Sequence, residues 1–268
     1  MKVAILDISN NKVGELKLPR QFEEEIRPDI ISRAVLAIQS GKRQPYAAAK
    51  GAGKRASAKL SRRRRNYRGS YGFGISRVPR KIMSRRGTRM NWVGAFAPGT
   101  TGGRRAHPPK IQKIWRKKIN NKENLKAIRS AITATMLKDV VAERGHLIPS
   151  SYPFVLDEKF ELLDKTKKII ESFEKLGLQE ELRRVADKKI RAGKGKSRGR
   201  KYKSSKGPLI VVSKNNKLSK AAANIPGMDI IEVKNLNAEL LAPGGRPGRL
   251  TLWTSTAIVT LEKENMFK

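Results

Sequence analysis

The side chains of this chain best suited to chemistry are cations and rings set close together. Lys50, Lys54, Arg55, Lys59, Arg62, Arg63, Arg64, Arg65, Arg68, Arg77, Arg80, Lys81, Arg104 and Arg105 crowd one stretch, and Tyr67, Tyr71, Phe73, Trp92, Phe96, His107 and Trp115 are interleaved with them. A guanidinium fork grips a phosphate through two parallel N–H bonds, and an aromatic face stacks on an unpaired base. Gly69, Gly72, Gly74, Gly102 and Gly103 allow a backbone to come close to a sugar-phosphate chain. A second run holds Lys194, Lys196, Arg198, Arg200, Lys201 and Lys203. Arg246 and Arg249, in the turn-like string PGGRPGR, add two more cations able to reach phosphate.

Other chemistries are hard to assemble from these residues. AAKGAGKR at 48–55 resembles a phosphate-binding P-loop but has Arg55 where Ser or Thr should hold magnesium, and no strand precedes it. His107 and His146 are the two histidines, far apart and without an acidic cluster, and the chain has no cysteine. A histidine- or thiolate-based metal site is therefore not expected. Glu171, Glu174, Glu180, Glu181 and Asp187 interleave with lysines and arginines and read as a solvated helix face. The residues point to no catalytic group, no metal, no cofactor and no small-molecule substrate.

The charge is unevenly placed. Between Asp29 and Glu123 there is no acidic residue, and residues 30–122 hold 26 Lys and Arg; residues 188–228, also free of acids, hold 13. The other 134 residues carry 21 basic and 23 acidic side chains, so almost the whole formal charge of +37 lies in two segments. Such self-repelling blocks need a polyanion to become ordered. A membrane surface fits less well than nucleic acid. No apolar run approaches the roughly 20 residues of a spanning helix, and the basic blocks show no amphipathic stripe. DNA-binding modules present a helix or ribbon to the major groove, and no such helix carries this charge. A long irregular loop suits the crevices of a folded RNA, so RNA is favoured over DNA.

The elements that position these residues are legible on both sides of the basic block. Residues 3–8 (VAILDI) and 13–18 (VGELKL) read as two strands of a hairpin around Ser9, Asn10 and Asn11. Pro28 opens a helix that Gly41 ends. Residues 42–109 have no sustained helix or strand period. Leu125, Ile128, Ile132, Met136 and Val140 predict one helix over 121–142, and further helices are read over 164–176 and 178–190. Residues 154–156 read as a short strand, and 208–213 (PLIVVS), 228–233 (MDIIEV) and 250–253 (LTLW) read as buried strands. Between them lies a short helix at 218–223, and Thr254 and Ser255 cap a final helix over 256–263. The fold class is α/β, a mostly parallel sheet flanked by helices and built from both chain ends, with a long irregular basic loop inserted.

Several long strings carry a family resemblance. KRQPYAAAKGAGKRASAKLSRRRRNYRGSYGFGISRVPRK (42–81), GAFAPGTTGGRRAHPPK (94–110), RAGKGKSRGRKYKSSKGPLIVV (191–212), NIPGMDIIEVKNLN (224–237) and LAPGGRPGRLTLWT (241–254) resemble the universal large-subunit ribosomal protein number four family, in its archaeal and eukaryotic branch. The resemblance implies a non-enzymatic, cytoplasmic constituent of the large ribosomal subunit. It implies a globular α/β domain (1–41 with 110–268), an extended loop at 42–109 that penetrates large-subunit rRNA, and a second RNA contact at 193–207. The loop would clamp rRNA domains during assembly. Its tip, at Arg85, Arg86, Arg89, Met90, Asn91 and Trp92, would help line the nascent-peptide exit tunnel. The partners implied are large-subunit rRNA, neighbouring ribosomal proteins and the nascent peptide, with no membrane. Another RNA-binding assembly or regulatory protein, a DNA architectural protein and an RNA-feeding enzyme are the other classes such a composition admits.

Overall fold

A computed structural model describes residues 1–214 and 217–268 of the chain. β1 (Lys2–Leu6) and β2 (Lys12–Lys17) come first, then α1 (Pro28–Gly41). β3 (Arg80–Arg86) and β4 (Arg89–Gly94) lie in the basic stretch. They are followed by α2 (Asn121–Met136), α3 (Lys138–Glu143), β5 (Phe154–Leu156), α4 (Thr166–Lys175) and α5 (Gln179–Ala186). β6 (Lys189–Ile190) and β7 (Tyr202–Lys203) form a short pair in the second basic stretch. The chain continues through β8 (Leu209–Val212), α6 (Lys217–Ala222), β9 (Asp229–Glu232), α7 (Ala238–Leu241), β10 (Thr251–Thr254) and α8 (Ser255–Lys263). The residues divide into two units, 1–42 with 116–268, and 43–115.

The first unit is built on a six-stranded sheet in the order β2-β1-β5-β10-β8-β9. Only the β1–β2 pairing is antiparallel; the other four are parallel. β5, β8 and β10 are fully buried, and alternate residues face opposite sides of the sheet. Val155, Leu209, Val211 and Trp253 join a core with α1, α2, α7 and α8. Phe154, Leu156, Ile210, Val212 and Leu252 join a second core with α3, α4 and α6. A sheet covered on both faces explains why these strands read as unbroken apolar runs. Burying each such side chain contributes about 1.5–3 kcal/mol. Thr254 caps α8 by accepting from the Ala257 N–H at 3.3 Å.

Four elements differ from the sequence expectation. The helix expected over 121–142 breaks at Leu137, whose backbone is extended (φ −90°, ψ 111°). Tyr152 donates its hydroxyl to the Thr135 carbonyl, so the last turn of α2 is satisfied from outside the helix. The helix expected over 178–190 ends at Ala186, and Ile190 pairs instead with Tyr202. β9, expected to be buried, is half-buried because it is an edge strand paired with β8 alone.

The fourth lies in the second unit, where no strand period was read. β3 and β4 form an antiparallel hairpin joined by the two-residue turn Gly87-Thr88. Gly87 takes a φ of 58°, as a tight hairpin turn demands. Arg86 pairs with Arg89 and Ile82 with Trp92, with a register shift between Ile82 and Ser84. Charged residues on both faces hid the alternation that usually marks a strand.

Candidate nucleic-acid interface

Within residues 43–115 most of the cations are exposed, and the stretch holds no acid. Lys50, Lys54, Arg55, Lys59, Arg62, Arg63, Arg64, Arg65, Arg77, Lys81, Arg85, Arg86, Arg89 and Arg105 are all exposed, as are Tyr67, Tyr71, Phe73, Asn91 and His107. Arg68, Met90, Trp92 and Arg104 are half-buried, and Arg80 is buried. Among the described residues no ion pair involves a cation of this unit, and the sequence supplies no carboxylate there. The first unit behaves otherwise. Arg129 pairs with Glu24 at 2.7 Å, Arg33 with Glu123 at 2.9 Å, and Arg184 with Glu181 at 2.7 Å. Neutralised cations stabilise a fold; unneutralised ones attract a polyanion.

The rings of the second unit hold several of these cations in place. The Arg77 guanidinium lies 4.3 Å from the Tyr71 ring centroid, Arg68 lies 5.6 Å from Tyr67, and Arg80 lies 5.4 Å from Trp92. Arg80 also donates to Ser76 Oγ at 3.2 Å and to the Val78 carbonyl at 3.3 Å, which accounts for its burial. Arg85 donates to the Tyr67 hydroxyl at 2.8 Å, and that bond holds the phenol below its ordinary pKa. Tyr46 stacks on Trp115 with centroids 5.3 Å apart, and Arg43 sits 4.0 Å from the Trp115 centroid and Lys113 4.3 Å from it. Arg43, Tyr46 and Lys113 were not among the sequence candidates; the Trp115 ring, set between lysines and arginines, was the signal for them. The Ala48 N–H donates to the Pro109 carbonyl at 3.3 Å, joining two limbs of the unit.

In the first unit, Lys194, Lys196, Arg198, Arg200, Lys201 and Lys203 are all exposed. They surround the β6–β7 pair. Arg191 braces the turn by donating to the Arg200 carbonyl at 3.0 Å and the Tyr202 carbonyl at 3.2 Å. Arg246 is exposed as well.

Arg249 is corrected. Its side chain is wholly buried, donating to the Asp229 carboxylate at 2.6 Å and to the carbonyls of Gly207 (2.9 Å) and Leu240 (3.0 Å). Every prong is used inside the fold, so it has nothing to offer a phosphate. Glu181, read as part of a solvated face, is also buried. It accepts from Arg184, from His146 Nδ1 at 2.6 Å and from the Leu147 N–H at 3.0 Å. Burial alone would raise its pKa; the bonds from Arg184, His146 and Leu147 bring it below the ordinary carboxylate value. Gly145 delivers His146 to this place by ending α3 in the left-handed region (φ 93°), with the His146 N–H returning to the Val141 carbonyl at 3.4 Å.

The carboxyl ends of β5, β8 and β10 are where an open parallel sheet would take a nucleotide. Glu161 fills that place. It accepts from the Ser213 N–H at 3.1 Å, Ser213 Oγ at 2.8 Å and Thr254 Oγ1 at 2.6 Å, and from Thr256 in the first turn of α8. Desolvation would raise its pKa, but these donors hold it below the ordinary value. A carboxylate thus occupies the donors that a phosphate would need.

The sequence model of the Ribosomal protein L4/L1 family matches residues 16–264. The protein of Nanoarchaeum equitans called large ribosomal subunit protein uL4 is 52% identical over 268 residues, covering 100% of each chain. The protein of the same name from Methanothrix thermoacetophila is 43% identical over 264 residues, covering 98% of this chain and 99% of its own. That of Archaeoglobus fulgidus is 42% identical over 259 residues, covering 96% and 97%.

Proposed function

The chain belongs to the ribosomal protein L4/L1 family, and from that membership we propose that residues 43–115 are an rRNA-binding element of the large ribosomal subunit. The protein is a non-enzymatic constituent of that subunit and a component of the cytoplasmic ribosome. Its exposed arginines and lysines neutralise phosphates of rRNA helices from different domains and hold them together during assembly. The observation that carries this reading is an acid-free unit with 20 lysines and arginines, none in an ion pair among the described residues, while all 23 acidic residues lie in the other unit. Residues 193–207, which follow β6 and include β7, make a shorter second contact. The turn end of the β3–β4 hairpin, with the exposed Arg85, Arg86 and Asn91, faces the nascent peptide in the exit tunnel. The helices of the first unit offer faces to neighbouring ribosomal proteins.

Deleting residues 50–105 tests the clamp. The core residues of the sheet unit all lie outside the deletion, so the shortened chain folds. It is expected to be excluded from large subunits or to yield particles stalled in assembly, read by sedimentation. Normal incorporation of the shortened chain into mature subunits would overturn the clamp.

A further inference from the structure

We propose that the second unit contains a receptacle for a single unstacked purine base, formed where the turn at 65–69 meets β4. This inference rests on the RNA-binding reading and names what one part of that interface takes. A cavity of about 610 Å³ lies there, lined by Tyr67, Arg68, Phe73, Arg89, Met90 and Trp92 among others. Its size falls within the roughly 300–1,000 Å³ of small-ligand sites.

The lining has the composition a base requires. Three rings supply stacking faces, and one side of Trp92 is already taken by Arg80. Phe73 is 72% exposed and Tyr67 52%, so these rings are left for something other than this chain's core. Arg68 supplies the polar contact. Its Nε atom is buried and has no hydrogen-bond partner among the described residues. The Nε is closed to solvent, so the outer Nη groups of the same guanidinium are the donors that N7 or O6 on a purine edge would meet. Asn66 accepts the Tyr67 N–H on its side-chain oxygen at 3.0 Å, which leaves its amide N–H groups to donate. Arg65 and Arg89 are exposed cations at the rim, suited to the phosphates on either side of the base.

The backbone is held in an uncommon shape to make this place. Arg65 (φ 55°) and Arg68 (φ 60°) both adopt the left-handed region without being glycine. Strain of this sort persists where surroundings over-determine it, and it concentrates at binding sites. Here the Gly69 N–H bonds to the Asn66 carbonyl at 3.0 Å, and the Ser61 N–H to the Arg68 carbonyl at 3.2 Å. Gly69 is required, because a Cβ there would lie 2.9 Å from the Asn66 carbonyl oxygen. A base stacked in a helix has both faces in use, and the rings of the cavity need one of them. An extruded base offers its faces and its N7/O6 edge together.

The test uses the full chain and two stem-loop RNAs, one with a single bulged guanosine and one with an abasic residue at the same bulge. Both keep the same phosphates. The guanosine RNA should bind about tenfold more tightly at moderate salt. Phe73→Ala should shrink the ratio between the two RNAs towards one, and Phe73→Tyr should keep it. Arg104→Ala should weaken both RNAs alike. Equal binding of the two RNAs by the unaltered chain overturns the receptacle and leaves the RNA-binding reading standing. Binding of neither RNA overturns both.

Discussion

Arg249 lies wholly buried against Asp229, while Arg63 stands exposed in a unit that holds no carboxylate. The two should fail differently when removed. Arg249→Ala leaves the partly buried Asp229 with Lys206 alone and orphans the Gly207 and Leu240 carbonyls, a loss of about 3 kcal/mol. The expected result is a large drop in thermal midpoint, with the salt dependence of RNA binding by the remaining folded protein unchanged. Arg63→Ala should leave the midpoint in place and lower the salt slope of RNA binding by about 0.7–0.9, one phosphate's share. The buried carboxylates give a third expectation at this scale. Glu161, Glu181 and Asp229 all have folded pKa values below their ordinary ones. Their contribution is therefore complete above the unfolded carboxylate values near 4 and is lost as pH falls through the lower folded values. The thermal midpoint should fall steeply below about pH 4. Glu181→Gln should cost about 2 kcal/mol at neutral pH, and its deficit should shrink as acid removes the same interaction from the unaltered chain. None of this was legible in the sequence. Arg249 sits in a turn-like string and Glu181 on a charged helix, and only tertiary packing decides that these two are buried while their neighbours are solvated.

At the scale of elements, legibility followed burial. β8 and β10 announced themselves as runs of apolar residues because helices cover both faces of their sheet. α1 was readable from Pro28 to Gly41 because its ends carry local chemistry. The break between α2 and α3 was not, since it depends on Tyr152 arriving from 15 residues beyond Leu137. The β3–β4 hairpin escaped notice because arginines occupy positions where alternation would show apolar residues. Its one local signal is the turn glycine, and that yields an expectation. Gly87→Val places a β-branched residue at a φ of 58° and should loosen the hairpin. Cross-strand nuclear Overhauser contacts between Ile82 and Trp92 should weaken, while the thermal midpoint of the sheet unit stays within about 0.5 kcal/mol of its original stability.

For the whole molecule, the acids have been allotted to one part: all 23 lie in the sheet unit, with 40 of the 60 lysines and arginines. The sheet unit carries both hydrophobic cores and the chain's ion pairs; the unit at 43–115 carries cations and rings. That division was readable in the spacing of acids along the sequence, before any element was placed. From charge alone the partner was readable only as a class, because counterion release depends on phosphates and not on which RNA presents them; large-subunit rRNA came from the resemblance of the strings at 42–81 and 94–110. The most direct measurement of the central claim is the salt dependence of binding between this protein and large-subunit rRNA, for the full chain and for the chain lacking residues 50–105. The full chain should show a steep loss of affinity with salt, with a slope of about −10 in log K against log salt, and the shortened chain a markedly shallower one. An unchanged slope after the deletion would contradict the account, because the cations of 43–115 would then neutralise no RNA phosphates.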